Sequence, residues 1–108
     1  MNNKIIKLKG VTFGDAQRNI KTFGSKDIGS FALVREPRNP HDPSAIRVEL
    51  VRHYFLGYVP RAHAKELAPL IDSGRNFLAF FVSTNKHPRY DTVGMTVRIE
   101  EVPISAAA

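Results

Sequence analysis

No cysteine occurs among the 108 residues, which excludes disulfides, a thiolate nucleophile and cysteine-ligated zinc together. Long apolar runs are missing too. The longest, Phe77-Leu78-Ala79-Phe80-Phe81-Val82, falls far short of the roughly 20 residues that cross a bilayer as a helix. Met1-Asn2-Asn3-Lys4 has no apolar signal-type region behind it, so secretion is not expected and a cytoplasmic location is the default. The chemistry of catalysis is equally scarce. The histidines His41, His53 and His63 form no HxH or HExxH spacing with one another or with the carboxylates, and Leu67 stands where a second ligand to His63 would be needed at i+4. No G-x-x-x-x-G-K-[ST] loop is present to cradle a nucleotide's phosphates, and no positioned base identifies a serine nucleophile. These absences point to a binding module without catalytic residues, metal or cofactor.

What is present is positive charge. Sixteen Lys and Arg against ten Asp and Glu leave +6 at pH 7, with a pI near 10.0. That is the electrostatic footprint of a nucleic-acid binder, although a basic surface also serves solubility alone. The basic residues are spread along the chain rather than gathered in a tail, so any binding face has to be assembled by folding. At 43% hydrophobic and 24% charged, the composition is that of an ordinary globular protein. The length suits one domain, read as residues 1–104, with 105–108 as a disordered tail.

Residues 4–13 alternate Ile6 and Leu8 with Lys7 and Lys9 and predict an edge or barrel strand. Asp15 is the expected N-cap of a short helix whose apolar stripe is Ala16, Ile20 and Phe23, ending at Gly24. Residues 25–29 read as a loop. Phe31 to Glu36 is strand-like until Pro37. Ile46, Val48 and Leu50 alternate with Arg47 and Glu49 as a half-buried strand. Arg52 and His53 mark a turn, and Phe55 to Val59 returns as the hairpin partner. Pro60 opens a second helix, with Ala64, Leu67, Ala68 and Ile71 on one face and Gly74 as its stop. Pro69 predicts a kink or break within it. Residues 76–84 and 93–102 complete the order β-α-β-β-β-α-β-β. Six short strands and two short helices in one core imply a strongly bent sheet or partly open barrel.

Between the second and third strands lies a rigid polar loop, Asn39-Pro40-His41-Asp42-Pro43, which sets an imidazole beside a carboxylate. Together with Leu33-Val34-Arg35-Glu36-Pro37, Ala45-Ile46-Arg47-Val48, Leu56-Gly57-Tyr58-Val59-Pro60 and the helical Lys65-Glu66-Leu67-Ala68, it resembles the HIRAN domain family over residues 5 to 102. The resemblance is to standalone bacterial and phage-type members. In larger proteins such domains sit beside fork-remodelling ATPases and nucleases. It implies a mainly β (α+β) fold, a modified OB-like small β-barrel. It also implies a function, capture of single-stranded DNA at its 3′-hydroxyl end in DNA repair or stalled-fork processing, with a helicase or nuclease acting in trans as partner and no membrane.

Carried onto this chain, the resemblance makes Asp42 the acceptor of the terminal hydroxyl. His41 lines the pocket of the last nucleotide and Phe13 becomes a stacking aromatic. Tyr58 and Arg61 approach the DNA backbone, and Asn39 and Lys65 lie in matching motifs. Tyr90, in the loop before the last strand, is the candidate for a further stacking ring. Three departures reduce stacking or charge: Gly14 follows Phe13 where a second aromatic can occur, Thr12 stands where a basic residue can, and His41 replaces a tyrosine. The residues by themselves allow plainer roles. Asp42 after proline can bond its own downstream amides, His41 and Arg61 can be solvated, and Phe13 and Tyr58 can be packed. An adaptor module or a nucleic-acid binder without end preference are the alternative functions, and a metal-dependent nuclease is the remote one.

Overall fold

The computed structural model of the chain describes residues 3–24, 29–50 and 53–103. The expected order is observed: β1 (Lys4–Lys7), α1 (Ala16–Phe23), β2 (Ser30–Arg35), β3 (Ile46–Leu50), β4 (Tyr54–Tyr58), α2 (Arg61–Asp72), β5 (Asn76–Lys86) and β6 (Val93–Val102). The strands form a single antiparallel sheet in the order β1-β6-β5-β2-β3-β4. Its two edges are not left apart. Beyond β1 the chain crosses to the opposite edge, where Lys9 and Tyr58 exchange N–H···O=C bonds of 2.8 and 2.7 Å. That bridge curls the sheet into an OB-like half-barrel. The crossing is close: a Cβ on Gly57 would lie 2.9 Å from the Lys9 carbonyl oxygen, so β4 needs glycine where the barrel closes.

Period-two alternation sends Ile46 and Val48 of β3, Leu56 of β4 and Met95, Val97 and Ile99 of β6 into the core with Phe31 of β2. Ile20 of α1 and Ala64, Leu67 and Ala68 of α2 join them, so each helix contributes one apolar stripe. Asn19, on the buried side of α1, donates 2.8 Å to the Phe55 carbonyl and ties that helix to β4.

Three expectations change. The first strand is shorter than residues 4–13, because Gly10 at φ +65° starts a turn closed by Phe13 N–H donating to the Gly10 carbonyl at 3.0 Å. Phe13 therefore sits in a loop. Asp15 does not cap α1 with its side chain; its φ −93°, ψ 13° lies outside the β-region geometry that aims an N-cap oxygen at the first turn. Pro69 does not break α2, which runs on to Asp72. The carbonyl that loses its i+4 N–H donor is that of Lys65, an exposed residue of the helix, so the missing bond costs little because that side is open to solvent. Gly74 ends α2 as expected. At φ +99° it donates to Ile71 while Arg75 donates to Leu70, the paired bonds of a Schellman motif. The turn at Arg52, the loop segment 25–28 and the tail 105–108 lie outside the described residues. Among those described, no helix is long and apolar enough to cross a membrane.

Candidate nucleic-acid interface

The Asn39–Asp42 turn is held by its own side chains. Asn39 Oδ1 accepts the backbone N–H groups of His41 (2.8 Å) and Asp42 (3.1 Å), and Asp42 Oδ1 accepts the N–H of Ser44 at 2.9 Å. The plainer reading of Asp42 as a turn residue is thus realised for one of its two oxygens. The other, Oδ2, lies 3.6 Å from Arg61 Nε at the start of α2. Arg61 also donates from Nη2 to the His41 carbonyl at 3.4 Å. Asp42's side chain keeps 20% exposure, and the His41 ring is exposed.

Glu36 joins this turn to the barrel. Its half-buried carboxylate, 23% exposed, accepts from Asn39 Nδ2 at 2.8 Å, from the Tyr58 hydroxyl at 3.0 and 3.2 Å and from Arg47 Nη1 at 3.3 Å. The register explains why these groups meet. Arg47 pairs with Tyr58 across β3–β4 and Tyr58 with Lys9 across the closing bridge, so all three share the face opposite Ile46 and Val48. Burial raises the Tyr58 pKa above its ordinary 10.0, and the Glu36 hydrogen bond and charge raise it further while Arg47 opposes them. The sign is that of a group kept protonated by folding. The contact is intact below the phenol's ordinary pKa and is lost as pH rises through the raised one. Subtracting the alkaline ultraviolet titration of Tyr58→Phe from that of the unsubstituted protein should therefore leave a component ionising above pH 10.

Beside Tyr58 opens a hollow of about 430 Å³ lined by Phe13, Asp15, Asn19, Arg47, His53 and Phe55, among others. Phe13 is 61% exposed, and its loop is clamped from behind. Gln17 Nε2 donates 2.8 Å to the carbonyls of Val11 and Val93, while its Oε1 accepts Val93 N–H. Gly10 lets the two rings approach, since a Cβ there would meet Phe13 at 2.9 Å and Tyr58 at 3.1 Å. Phe55 stands edge-on to Tyr58 with centroids 5.2 Å apart, and the Arg47 guanidinium lies 4.6 Å over the Phe55 ring. That cation is already neutralised. Besides Glu36, the buried Glu49 has Oε2 2.7 Å from Arg47 Nε, off the angle of a hydrogen bond. With Asp15 also at the wall, the hollow suits a flat uncharged ring better than a phosphate. Exposed Lys9, Arg61 and Lys65 lie outside it, the last two one helical turn apart.

Of the eight residues singled out from the sequence, the structure connects five through bonds: Asn39, His41, Asp42, Tyr58 and Arg61. Phe13 joins them through its packing across Gly10, and Lys65 shares a helix face with Arg61. Tyr90 stands apart. Its ring, 67% exposed, lies 4.7 Å from His87 at the tip of the β5–β6 hairpin, and Lys21–Asp91 at 2.8 Å pins that tip to α1. Glu36, Arg47, Phe55 and Lys9 were not singled out. Glu36 and Arg47 lie inside quoted motifs, and a charged residue at an alternating strand position was the available signal.

The sequence model of the HIRAN domain matches residues 6–102. The chain belongs to the HIRAN domain family. The HIRAN domain of human HLTF has the same fold, with a TM-score of 0.70 at 18% identity over 93% of this chain and 74% of that one. A protein from Lactobacillus plantarum matches with a TM-score of 0.66 at 22% identity, over 92% of this HIRAN domain and 99% of its own chain. A Fanconi-associated nuclease 1 homolog from Oryza sativa subsp. japonica is 48% identical over 46 residues, which are 40% of this chain and 5% of that nuclease. The HIRAN domain thus spans a small fraction of the curated relative's length.

Proposed function

We propose that this HIRAN domain binds single-stranded DNA at a 3′-hydroxyl end, as a module of DNA repair or stalled-fork processing that works with a helicase or nuclease acting in trans. The observation that carries the reading is the Asp42 carboxylate, fixed through Oδ1 by Ser44 and presenting Oδ2 beside Arg61. An ionised carboxylate only accepts hydrogen bonds, so it rewards an O–H donor and repels a terminal phosphate. A site meant for phosphates along a strand has no use for it. The aromatic hollow supports the same reading, because stacking holds a base of any identity. Lys9, Arg61 and Lys65 supply the attraction to the backbone. Asn39, with both ends of its amide used internally, serves by holding the turn. The nuclease relative's name is consistent with a role in DNA repair.

Fluorescence anisotropy with labelled single-stranded DNA, duplex and RNA over a salt series tests this. The single strand should bind most tightly, and neutralising about three phosphates predicts a slope of log K against log salt near about −2. Phe13→Ala should weaken single-strand binding by about 1–3 kcal/mol, the usual value of one stacked base, and leave the slope unchanged. Binding that ignores salt, or an unaffected Phe13→Ala variant, would contradict the proposal.

A further inference from the structure

We infer that Glu36 is the positioning residue that couples the aromatic hollow to the hydroxyl-reading turn, an inference that rests on the end-binding reading above. Among the described residues, its carboxylate is the one group bonded to both. On one side it takes the Tyr58 hydroxyl at 3.0 Å and Arg47 Nη1 at 3.3 Å, which belong to the hollow. On the other it takes Asn39 Nδ2 at 2.8 Å, and the same amide's Oδ1 receives the His41 and Asp42 N–H groups. A path of hydrogen bonds therefore runs Tyr58, Glu36, Asn39, Asp42. The Glu36 backbone is fixed as well, its N–H donating to the Ala45 carbonyl and its own carbonyl accepting Asn39 N–H, at 2.9 and 3.0 Å.

The chemistry requires a carboxylate. Three donors from three elements converge on two oxygens, and only an acceptor-only group satisfies them all at once. Glutamine has nearly the same shape, but it offers one acceptor oxygen and turns an amide N–H toward a remaining donor. With its oxygen at the Oε1 place, glutamine still accepts Asn39 and Tyr58 and releases only Arg47, so the variant that cuts the path at its centre is Glu36→Leu, which accepts nothing. Asn39→Ala cuts the path on the turn side alone and leaves Tyr58 and Arg47 on Glu36. The two variants thus separate a coupling role from a role in holding the tyrosine.

Two readouts decide it. In DNA-free protein, Glu36→Leu should speed amide hydrogen exchange at His41 and Asp42 by about fivefold, the loss of roughly one net hydrogen bond, and the raised Tyr58 titration should fall toward its ordinary range. Asn39→Ala should speed the same two amides and leave the Tyr58 titration raised. In binding, each variant should lose most of the preference for a 3′-hydroxyl over a 3′-phosphate oligonucleotide while keeping the salt slope. Unchanged exchange at both amides in Glu36→Leu overturns the coupling whatever the DNA does. Faster exchange with the end preference intact also overturns it, leaving Glu36 as scaffold. If the amides respond as expected but the unsubstituted protein shows no end preference, the end-binding reading fails and the Glu36 link to the turn stands. Should Glu36→Leu not fold, Asn39→Ala decides: a retained end preference overturns the coupling.

Discussion

Replacing Phe31 with Ala should cost about 3–5 kcal/mol of folding stability, the usual cost of deleting a buried aromatic ring. Phe31 is 1% exposed and lies on β2 opposite Ala79 of β5. The small partner leaves the ring to fill the barrel interior, and the backbone around it is pinned by ladder bonds to both β3 and β5. The site cannot collapse onto the void. A domain of this size has roughly 5–15 kcal/mol in total, so about a fifth or more of its stability would go. At about 4 °C or more per kcal/mol, the midpoint of thermal unfolding followed by circular dichroism should fall by more than about 12 °C. A fall of only a few degrees would mean that β2 is not where the core closes.

Asp42→Ala carries the other large effect, and it acts on binding. A hydrogen bond to a charged group contributes about 1.5–3 kcal/mol, so affinity for a 3′-hydroxyl end should drop on the order of tenfold to a hundredfold. Affinity for a 3′-phosphate end should hold or rise, because two like charges about 4 Å apart repel by roughly 1–4 kcal/mol at the dielectric constants of a protein surface. The salt slope should stay near its original value, since Lys9, Arg61 and Lys65 remain. The stability cost should be small, about 1 kcal/mol, for the lost acceptor of the Ser44 amide. Competition binding with the two oligonucleotides reads all of this in one titration series. A parallel loss for both ends would mean that Asp42 only shapes the turn.

Local pattern carried most of this fold. Ile46, Val48 and Leu50 alternate with polar neighbours, and Ala64, Leu67, Ala68 and Ile71 repeat at helical spacing, so β3 and α2 were legible. The Asn39–Asp42 turn was legible because proline and Asx residues impose it chemically. The barrel closure was not: the Lys9–Tyr58 bridge joins residues far apart in sequence, and no local period reports such a pairing. Phe13 was assigned to a strand because apolar residues continue past Leu8, whereas Gly10 at positive φ decides the turn. Glu36 went unnoticed for a related reason. A carboxylate at the end of a strand reads as solvated until the register brings Tyr58, Arg47 and Asn39 around it. Tyr90 shows the converse, an aromatic in the expected loop that packs at a tilt against His87 rather than lining the hollow.

The central claim is that this domain distinguishes how a DNA strand ends. The most direct measurement compares one single-stranded oligonucleotide, synthesised with a 3′-hydroxyl and with a 3′-phosphate, for affinity to the unsubstituted protein at fixed salt. Tighter binding of the hydroxyl end, on the order of tenfold or more from the charged acceptor at Asp42, is the predicted result. Equal affinity for the two ends, or tighter binding of the phosphate, would contradict it.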